Sequence, residues 1–145
     1  MKLSYGGGRM IKSDIGHVVF NINPRNGVFY KDLFQFLGWA VWYDDPNMLG
    51  LGNERGGSLW FSGPAKAVSN DYDGPGVNHV GISVAAQIDV DEVVIYLKEH
   101  TVPALFDTPR HRPDFSAPGQ TYYQVMFESP DRILFEIVYI GPLAQ

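Results

Sequence analysis

The stretch Ile15-Gly16-His17-Val18-Val19-Phe20-Asn21-Ile22 has a counterpart in Val77-Asn78-His79-Val80-Gly81-Ile82-Ser83-Val84. Both read His-Val-x-apolar-(Asn or Ser)-β-branched, and a helix-like segment follows each. A short β-branched run of this kind reads as a strand, in which alternate residues share a face. His17, Val19 and Asn21 then lie on one face, with Val18, Phe20 and Ile22 on the other. Two imidazoles at matched positions of two similar strands constrain the chain to a duplicated half-fold with a shared centre.

The segments that follow support the duplication. After the turn cluster Asn23-Pro24-Arg25-Asn26-Gly27, Phe29, Leu33, Phe36 and Leu37 recur at helical spacing up to Gly38. Strands follow at 39–43, 48–53 and 58–62, the first ended by Asp44-Asp45-Pro46. The second half begins with a strand at 77–85. Asp89 reads as a helix cap with Glu92 three residues on, and Val90, Val93, Val94 and Leu97 supply the buried stripe. A strand at 102–106, a polar loop at 107–119 and strands at 122–128 and 133–140 complete it. Each half is β-α-β-β-β, so the expected class is α+β: two βαβββ modules forming a curled mixed-sheet cleft around a central site. The expected organisation is a flexible leader at 1–13, modules at 14–62 and 77–140, a linker at 63–76 and a tail at 141–145.

Composition narrows the function. The chain has 145 residues, one domain's worth by length or two small halves over one core. It has no cysteine, which excludes disulfides, thiolate metal sites and a cysteine nucleophile. The net charge of -5 disfavours nucleic acid as a partner. No basic-then-apolar leader is evident, and no run of about 20 apolar residues could span a bilayer. A soluble cytoplasmic protein with no membrane partner is expected. Charged residues are 19% of the chain, below the roughly 25% usual for soluble proteins, while aromatics are plentiful. That balance suits a buried interface, a ring-lined pocket or an aromatic core.

Glu136 is the third candidate beside His17 and His79. Every neighbour within three residues is apolar. Such a carboxylate either faces water from an edge strand or is buried and needs compensation, which a metal ion would give. Each histidine, taken alone, reads first as a strand residue satisfied by a carbonyl, and their matched placement shifts the balance toward joint function. Two imidazoles and one carboxylate are a ligand set for an open-sided Fe(II), Mn(II) or Zn(II) site. With a hairpin loop at 129–132, residues 128 and 133 pair and Val125 faces Glu136. Tyr123 then shares the Glu136 face, as an acid or as a group that orients substrate; a slip of one residue substitutes Tyr122. Packing is the alternative role for either ring. Arg110, in Arg110-His111-Arg112, sits on the expected loop, either over an anionic substrate or in solvent. His100 ends the second helix, where the dipole favours a cation, and has no assigned function.

Gly16-His17-Val18-Val19, Asn78-His79-Val80-Gly81 and the run from Phe127 to Glu136 together resemble the vicinal oxygen chelate superfamily. That superfamily includes glyoxalase I, fosfomycin-resistance proteins, methylmalonyl-CoA epimerase, extradiol dioxygenases and bleomycin-resistance proteins. The resemblance covers about residues 14–140. The final run is similar to the family's closing F-x-D-P-D-G-x-x-x-E, with Arg132 where glycine is usual, a change expected to reshape the turn without moving Glu136. The resemblance implies metal ligands at His17, His79 and Glu136, and often a homodimer. It also implies a fourth ligand, Glu or Gln, from the last strand of the first half in glyoxalase I and the epimerase. Trp60 stands there instead and would wall the pocket.

The reading is a glyoxalase-like metalloenzyme of lyase, isomerase or transferase type, stabilising an enolate or oxyanion of a small substrate. Its cofactor would be Zn, Ni, Mn or Fe. Tyr123 and Glu136 are the expected catalytic residues, and Trp60, Arg110 and Tyr122 the substrate contacts. An Fe(II)-dependent ring-cleaving dioxygenase is one alternative. A non-catalytic protein that sequesters an aromatic or cationic molecule, using Trp39, Trp42, Tyr43, Trp60 and Asp44-Asp45, is the other.

Overall fold

The structure, a computed structural model, describes residues 8–143. Most of the expected leader and the last two residues of the expected tail lie outside the described residues. The chain divides into two compact units, residues 1–65 and 66–145, each with its own core.

The first unit contains β1 (His17–Asn21), a 3-10 turn (Pro24–Asn26), α1 (Gly27–Phe36), β2 (Ala40–Asp45), β3 (Met48–Gly52) and β4 (Ser58–Ser62). Its sheet has the order β1-β4-β3-β2, with β1 parallel to β4 and the other pairs antiparallel. The parallel pair follows from the crossover helix, which carries the chain back before β2 begins. Burial alternates along β1 as the sequence predicts, with His17, Val19 and Asn21 outward. One face of the sheet packs on α1. Phe61 is fully buried there, with its ring 4.1 Å from Tyr30, 5.0 Å from Phe20 and 5.8 Å from Phe34.

The helix is rotated from its expected phase. Tyr30, Leu33 and Phe34 are its buried residues, while Phe36 is exposed. Aromatic residues spread over a broad arc of α1, so spacing alone did not fix its phase; stacking on Phe61 does. The first hairpin is tighter than expected. Asp44 and Asp45 belong to β2, and the Asp45 carboxylate accepts the amides of Asn47 and Met48 at 2.8 and 2.9 Å.

The second unit contains β5 (Val80–Ser83), α2 (Gln87–Glu99), β6 (Leu105–His111), a 3-10 turn (Pro113–Phe115), β7 (Gln120–Glu128) and β8 (Leu134–Pro142). Its sheet order, β5-β8-β7-β6, repeats the first, with β5 parallel to β8. The expected class and the repeated βαβββ order are therefore present: two mixed four-stranded sheets, each with one helix. Most of the expected linker belongs to the second unit and does more than connect. Tyr72 packs on Met126 and Leu134, and its hydroxyl donates to Glu128 Oε1 at 2.5 Å.

Three local expectations change here. Asp89 is not the cap of α2. The helix starts two residues earlier, and Asp89 reaches back to accept the Ala86 amide at 3.1 Å, as an acidic residue in a first turn can. Much of the expected polar loop is strand β6. Phe106 and Asp107 bulge out with φ of 57° and 55°, and Thr108 closes the bulge by donating to Leu105 O (2.6 Å) and accepting from Met126 N (2.9 Å).

The third change is the register of β7 on β8. Glu128 pairs with Leu134 and Met126 with Glu136, one residue away from the expected pairing. Arg132 lies in the turn between the two strands. It adopts φ 55°, the left-handed conformation that glycine favours. Ser129 N bonds Ile133 O at 2.9 Å across this turn, leaving one more residue in the loop than expected. The strain of a non-glycine residue there, about 1–3 kcal/mol, is offset by contacts. Asn70 donates to Arg132 O at 2.8 Å, and the guanidinium lies 5.4 Å over the Tyr72 ring.

Candidate functional site

In each unit α1 or α2 covers one face of the sheet. The candidate residues other than Tyr123 belong to the opposite face. In the second unit that face is polar at its middle. Glu136 is only 5% exposed, and the Tyr122 hydroxyl donates to its Oε1 at 2.7 Å. Burial first, and then this hydrogen bond, push the Tyr122 phenol up to about 12, against a smaller opposing effect of Arg112. Glu136 is thus a buried carboxylate in a central strand, not an edge residue facing water.

The changed register decides which tyrosine meets Glu136. Met126 pairs with Glu136, so Tyr122 and Gln124 share its face and Tyr123 takes the other. There the Tyr123 hydroxyl donates to Asp91 of α2 at 2.6 Å. Burial and that carboxylate push its phenol up to about 12. The expected catalytic position of Tyr123, on the Glu136 face, is therefore corrected: Tyr122 occupies it.

Two arginines join this face. Arg110 pairs with Gln124 and so points to the same side, from a strand rather than the expected loop. Arg112 lies two residues further on. It is held by Asp114 through bonds of 3.1 and 2.8 Å, and its guanidinium stacks 4.6 Å over Phe115. Phe115 in turn packs against Tyr122 at 5.5 Å. The sequence reading missed Gln124, buried to 2%, and Arg112. Gln124 was legible in principle: with Tyr122 and Met126 it forms the period-two row of one face.

His79 is exposed and lies one residue ahead of β5. Gly81 pairs with Glu136, and a Cβ on Gly81 would stand 3.4 Å from Glu136 Oε1. Strand alternation assigns His79, two residues earlier, to that same face. Its Nδ1 is 2.8 Å from Asn78 Oδ1.

The first unit differs in character. His17 is exposed at the start of β1 and pairs with Ser58, while Val19 pairs with Trp60. Trp60 therefore holds the position in its module that Glu136 holds in the other, beside the strand that begins with the candidate histidine. Its indole Nε1 donates to Ser58 Oγ at 3.0 Å, and its ring lies over Gly50, where any Cβ would overlap it. Trp42 covers Gly52 in the same way, and Tyr43 packs 6.3 Å from Trp60. A bulge between Val41 and Tyr43 lets both aromatics share this face. Trp39 does not join them; it packs edge-on against Phe34 at 5.5 Å. Asp44 bonds Lys31 of α1 at 2.8 Å. A cavity of about 260 Å³ between α1 and the β2–β3 turn opens on the helix side of this sheet.

Among the described residues no group of three or more His, Cys, Asp or Glu is gathered closely enough to hold a metal ion. The donors on the second unit suit a divalent transition-metal cation in kind: a buried carboxylate with an imidazole on the same sheet face.

Neither protein-family models nor curated proteins match the sequence. Solved structures do match. A proposed glyoxalase from Bacillus halodurans superposes with a TM-score of 0.73 at 25% identity, covering 86% of this chain and 94% of that one. A glyoxalase/dioxygenase from Nostoc punctiforme gives 0.66 at 14% identity, covering 94% and 100%. The chain has the vicinal oxygen chelate fold. A variant of the fosfomycin resistance protein FosX from Listeria monocytogenes is also similar, with a TM-score of 0.61 at 17% identity, covering 88% and 90%. That structure holds Mn(II) and 1S,2S-dihydroxypropylphosphonic acid. Within the vicinal oxygen chelate fold, the helix-free faces of the two modules are thus polar in one and aromatic in the other. No described helix is long and apolar enough to cross a membrane.

Proposed function

We propose that this chain is a glyoxalase-like metal-dependent enzyme that acts on a small, anionic, oxygen-bearing substrate. The observation that carries the proposal is Glu136, a buried carboxylate that shares its sheet face with a tyrosine hydroxyl and two arginines. A carboxylate in this setting is costly unless a cation or hydrogen bonds compensate it. The proposed ligands are His17, His79 and Glu136, taken from the family resemblance. When bound, a divalent Zn, Ni, Mn or Fe ion supplies Lewis acidity for negative charge that develops on substrate oxygens.

The chain's own residues have separate tasks. Tyr122 orients the Glu136 carboxylate through its hydroxyl. Arg110 and Arg112 attract the anionic group of the substrate, and the Asp114 and Phe115 contacts keep Arg112 from collapsing onto Glu136. Trp60 forms an apolar wall. The reaction is of lyase, isomerase or transferase type; with Fe(II) it becomes ring cleavage by dioxygen. The proposal includes a cytoplasmic location and a homodimer, the latter supported by Val19, Trp42 and Tyr43, which expose 54%, 53% and 46% of their surface on the aromatic face.

The aromatic face itself favours a second reading, a protein that sequesters a planar molecule without catalysis. Trp42 and Trp60 lie flat over glycines, as in a stacking platform. Metal analysis of protein purified without chelator separates the two. The enzyme reading expects stoichiometric divalent ion, lost in Glu136→Ala and His79→Ala. No bound metal, together with ion uptake that is the same in His79→Ala as in the unaltered protein, would sink it and leave the sequestering protein.

A further inference from the structure

The geometry around His79 points to Asn78 as a positioning residue that fixes which imidazole nitrogen His79 presents. The inference rests on the reading of His79 as a metal ligand. Asn78 Nδ2 donates to the backbone carbonyl of Tyr72 at 3.1 Å. A carbonyl only accepts, so a flipped amide would set two acceptor oxygens against each other. The amide oxygen must therefore face His79, and it lies 2.8 Å from Nδ1. An amide oxygen also only accepts, so Nδ1 must carry the proton. In the neutral ring, Nε2 then keeps its lone pair and is the available donor atom.

The anchor of this arrangement is rigid. Tyr72 is 9% exposed, packs against Met126 and Leu134, and is tied through its hydroxyl to Glu128 at 2.5 Å. The segment before β5 is thereby clamped to the β7–β8 hairpin, on the sheet that holds Glu136. Asn78 passes that rigidity to an otherwise exposed imidazole. A ligating histidine needs its second nitrogen held in this way, and loss of such a partner costs about 10–100-fold in metal affinity.

The test uses long-range nitrogen–proton NMR of the metal-free protein, above the imidazole titration range. His79→Gln identifies the His79 signals. The expected result is a proton on Nδ1 in the unaltered protein and a shift toward the proton on Nε2 in Asn78→Ala. Titration with Mn(II) and Zn(II) by calorimetry should then show affinity lowered by about 10–100-fold in Asn78→Ala. Asn78→Asp keeps an acceptor for Nδ1 but loses the donor to the Tyr72 carbonyl, so it should retain the proton on Nδ1, which Asn78→Ala does not. If the tautomer in Asn78→Ala is unchanged, or if its affinity matches the unaltered protein, the positioning role is overturned while the metal reading stands. If the unaltered protein binds neither ion, the metal reading fails, and the role of Asn78 toward a metal fails with it.

Discussion

Replacing Tyr122 with phenylalanine removes a hydroxyl that donates to Glu136 Oε1 at 2.7 Å, and leaves the ring packed on Phe115. A hydrogen bond to a charged acceptor contributes about 1.5–3 kcal/mol. The phenol gives a second measure. Its rise from 10.0 to about 12 corresponds to at most about 2.7 kcal/mol. Burial is the larger cause of that rise and does not itself strengthen the bond. The hydroxyl is also partly screened by solvent, so the pair is expected to contribute about 1–1.5 kcal/mol. The sign follows from the direction of the shift: a group raised in the folded state stabilises fully below its unfolded value and loses that effect as pH rises through the folded value. Urea unfolding should thus show Tyr122→Phe less stable by about 1–1.5 kcal/mol near pH 8, with the difference shrinking as pH rises from about 10 toward about 12. Phenolate absorbance adds an independent check. Tyr122 and Tyr123 are both pushed up to about 12. Tyr122→Phe and Tyr123→Phe should each delete part of the late-titrating absorbance, and the double variant should delete both contributions. A Tyr122→Phe titration identical to the original, or a stability difference constant across that pH window, would refute the pairing of Tyr122 with Glu136.

Thr108→Val removes a buried hydroxyl that joins Leu105 O to Met126 N, so stability should fall by about 1–3 kcal/mol and the Arg110 amide should exchange faster. Unchanged exchange at Arg110 would show that Thr108 does not hold the bulge. Phe61→Ala empties the ring stack with Tyr30, Phe20 and Phe34 at a cost of about 3–5 kcal/mol. Because each unit has its own core, hydrogen exchange should rise in α1 and β4 while α2 stays protected; equal loss in both units would count against separate cores. Gly50→Ala puts a Cβ where the Trp60 indole lies, forcing the ring away at about 1–3 kcal/mol. Tryptophan emission should move to longer wavelength, and an unchanged spectrum would contradict the described stacking.

The order of elements was legible because two periods alternate along the chain, about two in strands and about 3.6 in helices. The matched histidines then aligned the halves, and the strand pairings bear out that alignment: His79 precedes Gly81, the partner of Glu136, as His17 precedes Val19, the partner of Trp60. What could not be read was phase and register. Phe29, Tyr30, Phe34 and Phe36 spread rings over a broad arc of α1, so only the position of Phe61 selects the buried ones. Arg132 in a left-handed turn cannot be inferred from composition, because its neighbours from residues 69–72 stabilise it. The turn that contains it holds one residue more than expected, and the β7–β8 pairing accordingly puts Tyr122 rather than Tyr123 beside Glu136. Asp107-Thr108-Pro109 has turn composition, and its place inside a strand depends on the bulge closed by Thr108.

The two modules share a backbone plan and differ in where each puts its glycine. In the first, the central row of the open face reads Val19, Trp60, Gly50 across β1, β4 and β3. In the second, the same row reads Gly81, Glu136, Met126 across β5, β8 and β7. A residue in the middle of such a row leans toward whichever neighbour lacks a side chain. The Trp60 indole accordingly lies over Gly50, toward the interior of its sheet, and closes that row as a wall. Glu136 instead has its open neighbour on the β5 side, where Gly81 leaves its Oε1 uncrowded and where the His79 strand begins. Exchanging the glycine between the two flanking strands thus turns one position of a duplicated fold into an aromatic wall in one module and a directed carboxylate in the other. The asymmetry of the candidate site therefore lies in three paired positions rather than in the loss of a single ligand.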